Sequence, residues 1–209
     1  MNRSVNTVVS RGLALRSGVP ARDVAGQQAS SGAITPVSLD DALDGLTDDT
    51  GRTLRSICNE RPTLVVLLRH AGCTFCRQTL SDLARCQGSI AAKGIGIAVI
   101  GMSESTSQMR RLGDRYGLSA AAWIADPDRL GYRALEIGRG QLHQLLSPRV
   151  LWAGLRAAME GHGIGRVAGD PRQMPGTAIV HRGIVLRRII HQSAAGRPDY
   201  EALACSLDS

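Results

Sequence analysis

Apolar positions along this chain fall into two patterns that follow one another in a regular order. Thr63–Leu68 is an unbroken apolar run of strand length, rich in β-branched residues and without alternation, which predicts a central strand buried on both faces. Ile95–Ile100 predicts a second buried strand, and Ala121–Ala125 a short third one ended by Asp126-Pro127. Between them the period changes to that of helices, over Cys73 to about Ala92, Ser105–Tyr116 and Asp128–Leu135. Upstream, Leu39, Leu43 and Leu46 interleaved with Asp40, Asp41 and Asp44 predict a short helix capped by Ser38, and a second covers roughly Thr50–Asn59 before Pro62. Downstream, Thr177–Val180 and Ile184–Ile190 flank His181-Arg182-Gly183, a hairpin signal, and Asp199–Leu207 closes the chain as a helix.

This order reads βαβαβα, an insert, then ββα. It predicts an α/β fold: a central mixed, mostly parallel sheet with helices on both faces and an antiparallel C-terminal hairpin. Residues 1–33 lack a sustained period and read as a disordered leader, and residues 34–209 as one domain. Residues 137–172 interrupt the alternation as an insert, with an amphipathic helix over roughly Pro148–Glu160 between Gly-rich loops.

Composition narrows the function classes. A chain of 209 residues with 43% hydrophobic content can build one full core. Aromatics are only 3%, which argues against a stacking platform for single-stranded nucleic acid. Four of the seven net positive charges, Arg3, Arg11, Arg16 and Arg22, lie ahead of the first acid, Asp23. That is a basic tail rather than a basic surface on the folded domain, so no nucleic-acid partner is expected. No apolar run approaches the roughly 20 residues of a membrane span, and no secretory signal is evident at the N-terminus. The Arg- and Ser-rich start has some organelle transit-peptide character, but a disordered leader is the preferred reading. Five cysteines, an odd number with one close pair, suit a reducing, cytoplasmic setting better than a secreted disulfide scaffold.

The close pair, Cys73-Thr74-Phe75-Cys76, carries the chemistry. A buried strand ends at Leu68, a short turn follows, and Cys73 opens a helix. Free amides and the dipole at a helix start favour thiolate over thiol. Arg69, His70 and Arg77 flank the pair and would add positive potential. A structural zinc site would need a second ligand pair, which the sequence does not offer, and no cofactor or metal is expected. Cys86 lies on the same helix about 15 Å beyond Cys76, out of disulfide reach, and reads with Cys58 and Cys205 as a packing residue.

A second signal is Gln173-Met174-Pro175-Gly176-Thr177 immediately before the hairpin. Together with Leu64–Cys76, Ile97–Met102, Trp123–Pro127 and the insert ending Gly169-Asp170, it makes residues 35–207 resemble the thioredoxin superfamily, and within it the peroxiredoxin-like, alkyl-hydroperoxide-reductase/thiol-specific-antioxidant branch. The resemblance implies a thioredoxin-like fold and a cis Met174–Pro175 bond lying against the cysteines, with Pro175 positioning the substrate. Where thioredoxins carry Trp before the first cysteine and Gly-Pro between the two, this chain has Gly72 and Thr74-Phe75. Counting back from Cys76 along the peroxiredoxin pattern Pro-x-x-x-Thr-x-x-Cys, Arg69 holds the Pro place and Cys73 the Thr place. The expected activity is an antioxidant thiol–disulfide oxidoreductase that takes a disulfide or a hydroperoxide and is restored by a thioredoxin or glutathione system. The rival is a non-enzymatic binding module or redox switch. Thioredoxin logic makes Cys73 the nucleophile, peroxiredoxin logic Cys76, and the freer amides at the helix start favour Cys73.

Overall fold

The computed structural model describes residues 37–69, 73–103, 105–140, 152, 156, 159, 170, 172–190 and 198–205. Its elements are α1 (Leu39–Gly45), α2 (Leu54–Glu60), β1 (Thr63–Leu68), α3 (Thr74–Ala92), β2 (Gly96–Gly101), α4 (Thr106–Arg115), β3 (Ala121–Ala125), α5 (Leu130–Ala134), β4 (Gly176–His181), β5 (Ile184–Ile190) and α6 (Tyr200–Cys205). The expectations for residues 1–33, for most of the insert and for His70 fall outside the described residues. Within the insert, Trp152, Arg156 and Met159 are helical and exposed.

Five strands form one sheet in the order β3-β2-β1-β4-β5. β1 pairs parallel with β2, and β2 with β3, whereas β4 runs antiparallel to β1 and β5 antiparallel to β4. All six residues of β1 are buried, as its unbroken apolar run demands of a strand covered on both faces. Leu64, Val66 and Leu68 face a core shared with α3, α4 and α6; Val65 and Leu67 face a second core under α1, α2 and α5.

Local chemistry explains where the elements begin. Ser38 and Asp41 form a reciprocal capping box at α1. The second helix starts at Leu54, later than the sequence pattern suggests, because Asp48 claims the residues before it. Its Oδ1 accepts from the Thr50 and Arg52 amides, each at 2.9 Å, while Gly51 turns at φ +84° and Thr53 caps the helix. Asp126 delays α5 in the same way, its two carboxylate oxygens accepting from the Leu130 and Gly131 amides at 2.7 and 2.9 Å. Cys58 is buried as expected and Cys86 half-buried, but Cys205 is exposed, because Tyr200 and Ala204 take the inward face of the short α6.

The insert is closed at its neck. The Gly140 amide donates to the Arg172 carbonyl at 2.7 Å and the Met174 amide to Gly138 at 3.3 Å. Asp170 accepts from Arg129 at 2.9 Å and forms an ion pair with Arg139 at 2.6 Å.

Candidate functional site

The site forms where β1 ends. Parallel strands deliver the chain at their C-terminal edge to the start of the next helix, so Leu68 is followed by Arg69, and Cys73 becomes the N-cap of α3. Arg69 gathers the site. Its amide lies 3.2 Å from Cys76 Sγ, its Nη1 lies 3.7 Å from Cys73 Sγ, and its Nε donates to the Gln173 carbonyl at 3.0 Å. The side chain is only 9% exposed, and Cys73 and Cys76 are 7% and 2% exposed. A guanidinium held that far from water acts on the sulfurs through a weakly screening medium.

The Cys73 thiol is lowered to about 6. The main cause is a hydrogen bond with the Cys76 side chain; burial opposes it, and the Arg69 charge and the amides of Cys76 and Phe75 add to it. The sulfur makes no capping hydrogen bond of standard geometry, so these two amides of the first turn act on it as dipoles. Arg77 enters through its main chain, its amide donating to the Cys73 carbonyl at 3.0 Å. The remaining cysteines behave differently: burial pushes Cys58 up to about 11 and also raises Cys86.

Tyr132 floors the site. It is fully buried, and its hydroxyl donates to the carbonyl of Leu68 and lies 3.4 Å from that of Ile100. Burial raises its pKa well above the ordinary value, so it stays a donor at every working pH. The sequence reading missed this residue; the available signal was a tyrosine in an aromatic-poor chain, one turn after Asp126-Pro127.

The motif before the hairpin needs a correction. The peptide bonds of the described residues are all trans, Met174–Pro175 included. Residues 173 and 174 are instead held extended against the neck, Gln173 bridging Arg139 and the Met174 amide bonding to Gly138, so the chain reaches β4 without the costlier isomer. Pro175 is buried, and the Gln173 carbonyl of the same motif accepts from Arg69.

Residues 82–192, more than half of the chain, match the family model for the AhpC/TSA antioxidant enzyme. The chain belongs to the AhpC/TSA antioxidant enzyme family. The matched stretch begins beyond Cys76, so it covers the β2–β5 framework and leaves the cysteine pair outside. No curated protein matches the chain. Among solved structures, a cysteine-to-serine variant of Xanthomonas campestris peroxiredoxin Q aligns with a TM-score of 0.57 at 14% identity, over 85% of this chain and 98% of that one. Reduced Prx3 from Vibrio vulnificus in complex with hydrogen peroxide aligns at 0.55 and 13%, over 78% and 92%. A variant of peroxiredoxin 6 from Arenicola marina aligns at 0.53 and 11%, over 77% and 66%. These likenesses establish the thioredoxin-like fold for this AhpC/TSA family member. Among its described residues no cluster of His, Cys, Asp or Glu could hold a metal ion, and no helix is long and apolar enough to cross a membrane.

Proposed function

We propose that this chain is a thiol-dependent oxidoreductase that cycles Cys73 and Cys76 between dithiol and disulfide. The observation that carries this reading is the Cys73 thiol held low at the head of α3, against Cys76 and the buried Arg69. At neutral pH Cys73 is then largely thiolate, the form that attacks.

With a hydroperoxide, the Cys73 thiolate attacks the terminal oxygen of ROOH. The O–O bond breaks, the leaving alkoxide takes a proton to become ROH, and Cys73 becomes a sulfenic acid. The Cys76 thiol then attacks that sulfur, water leaves, and the 73–76 disulfide forms. With a disulfide R–S–S–R′, Cys73 forms a mixed disulfide and expels one thiolate, and Cys76 expels the other. Either way an external reductant, one thioredoxin-type dithiol or two glutathione-type monothiols, reduces the 73–76 disulfide with two electrons and two protons and is itself oxidised to a disulfide. Arg69 stabilises the thiolate throughout; no bound cofactor takes part. The paired neck, residues 137–140 against 170–174, supports reading 137–172 as an insert in one domain beginning near residue 34.

The test has two parts. Mild oxidation followed by peptide mass mapping should yield the 73–76 link in the native protein, and free thiols at both positions would defeat the reading. A panel of hydroperoxides and disulfides coupled to thioredoxin and glutathione systems should then show turnover that is lost in Cys73→Ser.

A further inference from the structure

Gln173 is buried, at 3% exposure, and bonded in three directions. Its amide donates to the Asp170 carbonyl at 3.1 Å, and its side-chain Nε2 donates to the carbonyls of Ile137 and Gly138 at 2.8 and 3.2 Å. Its own carbonyl accepts from Arg69 Nε. One residue therefore ties the neck of the insert to the guanidinium that faces the cysteine pair.

A guanidinium is a rigid plane, so fixing Nε fixes the direction of both terminal nitrogens. The Gln173 carbonyl is placed so that, once Nε is engaged, Nη1 faces Cys73 at 3.7 Å. That carbonyl is in turn held by the Gln173 side chain. Without an Nε2 donor, the buried carbonyl of Ile137 would lose this partner, Gly138 would keep only its bond from the Met174 amide, and the 172–174 segment would be free to shift.

We propose that Gln173 is a positioning residue for the reaction, acting on Cys73 through the orientation of Arg69 and through its grip on the insert neck. The inference rests on the reading of Cys73 as the attacking thiolate. Other ionisable groups face the pair too. Tyr132 comes from α5 with Asp126 behind it, and Tyr200 from α6, its pKa raised mainly by burial. None of these is bonded to Gln173, so a Gln173 effect that passes through Arg69 can be told apart from theirs.

The test is the pH profile of Cys73 alkylation in the full reduced chain, followed by mass analysis of the Cys73 peptide. Gln173→Met keeps side-chain length and removes the donor. It should move the profile midpoint up by about one unit. In an Arg69→Met background the same substitution should move it no further, since the residue it acts through is gone. A purely structural role would lower the melting temperature and leave the midpoint in place, which would overturn the proposal, as would equal shifts in both backgrounds. Should Gln173→Met fail to fold, Gln173→Asn, whose amide is one methylene short of the neck carbonyls, should give a smaller upward shift confined to the Arg69 background; no shift there overturns the proposal equally. An unmodified chain whose Cys73 titrates as an ordinary thiol would instead defeat the underlying oxidoreductase reading. A low native midpoint left unmoved by Gln173→Met defeats this inference alone.

Discussion

The main-chain N–H of Arg69 stands 3.2 Å from Cys76 Sγ, joining the end of β1 to the first turn of α3 through the second cysteine rather than the first. Cys73 instead receives the charged end of the same residue, at 3.7 Å. The two sulfurs share a hydrogen bond with each other, and beyond it the Arg69 amide meets Cys76 while the Arg69 guanidinium and two helix-start dipoles act on Cys73. In the proposed cycle Cys73 attacks and Cys76 resolves. With a disulfide substrate, Cys76→Ser should accumulate a stable mixed disulfide through Cys73, and Cys73→Ser should be inert. Mass analysis of the trapped adduct decides between them, and trapping through Cys76 in Cys73→Ser would reverse the roles.

The same asymmetry gives stability a sign. The folded Cys73 thiol titrates near 6, below its ordinary value of 9.0, so folding favours the ionised form. Its contribution is complete above about pH 9, shrinks as pH falls through the window, and is gone below about 6. Urea midpoints of the reduced protein should therefore fall on acidification from 9 to 6, and Cys73→Ala should flatten that slope. Cys58 is shifted the other way, to about 11, so it acts above this window. Arg69→Met should raise the Cys73 midpoint and so narrow the window from its acid end. A slope unchanged in Cys73→Ala would rule Cys73 out as its source.

Tyr132 offers a test of the floor of the site. Phenylalanine in its place keeps the ring but removes the donor to the Leu68 carbonyl, in a spot closed to water. Leaving a buried acceptor unpaired costs roughly 1–3 kcal/mol. Tyr132→Phe should lower the unfolding free energy from denaturant titration by that amount in reduced and oxidised protein alike, whereas a loss confined to one redox state would tie the hydroxyl to the chemistry rather than the fold.

Much of this arrangement was legible in the chain because buried strands and helix starts leave local marks. The apolar run Thr63–Leu68, the Ser38 cap and the His181–Gly183 turn each depend on neighbours within a few positions. The cysteine pair and Arg69 were legible for the same reason, lying within eight residues of one another. What escaped depends on distant contacts. The Gln173 carbonyl meets Arg69 across 104 positions and Tyr132 meets Leu68 across 64, separations on which no periodicity bears. The cis bond carried over from the superfamily failed at Met174–Pro175 because the neck pairing at 138–140 holds that stretch extended, and those partners lie at the far end of the insert.

Two glycines in helices separate packing from propensity. Gly88, exposed on α3, has nothing within 4 Å of where a Cβ would stand, so alanine there meets only the gain of a better helix former, up to about 1 kcal/mol. Gly113, buried on α4, is the opposite case. A Cβ there would lie 1.9 Å from Cζ2 and 2.2 Å from Cη2 of Trp123, a fully buried ring on β3. The indole is rigid and enclosed by core neighbours, so α4 would have to lift from the sheet. Overpacking of this kind costs typically 1–3 kcal/mol, more than the helix gain it opposes. Gly88→Ala should raise the melting temperature slightly and Gly113→Ala should lower it. Trp123→Phe removes the two ring atoms concerned, so adding it to Gly113→Ala should cost less than it does in the unmodified chain. Additive losses in that pair would mean that α4 and the indole are not in the close contact described.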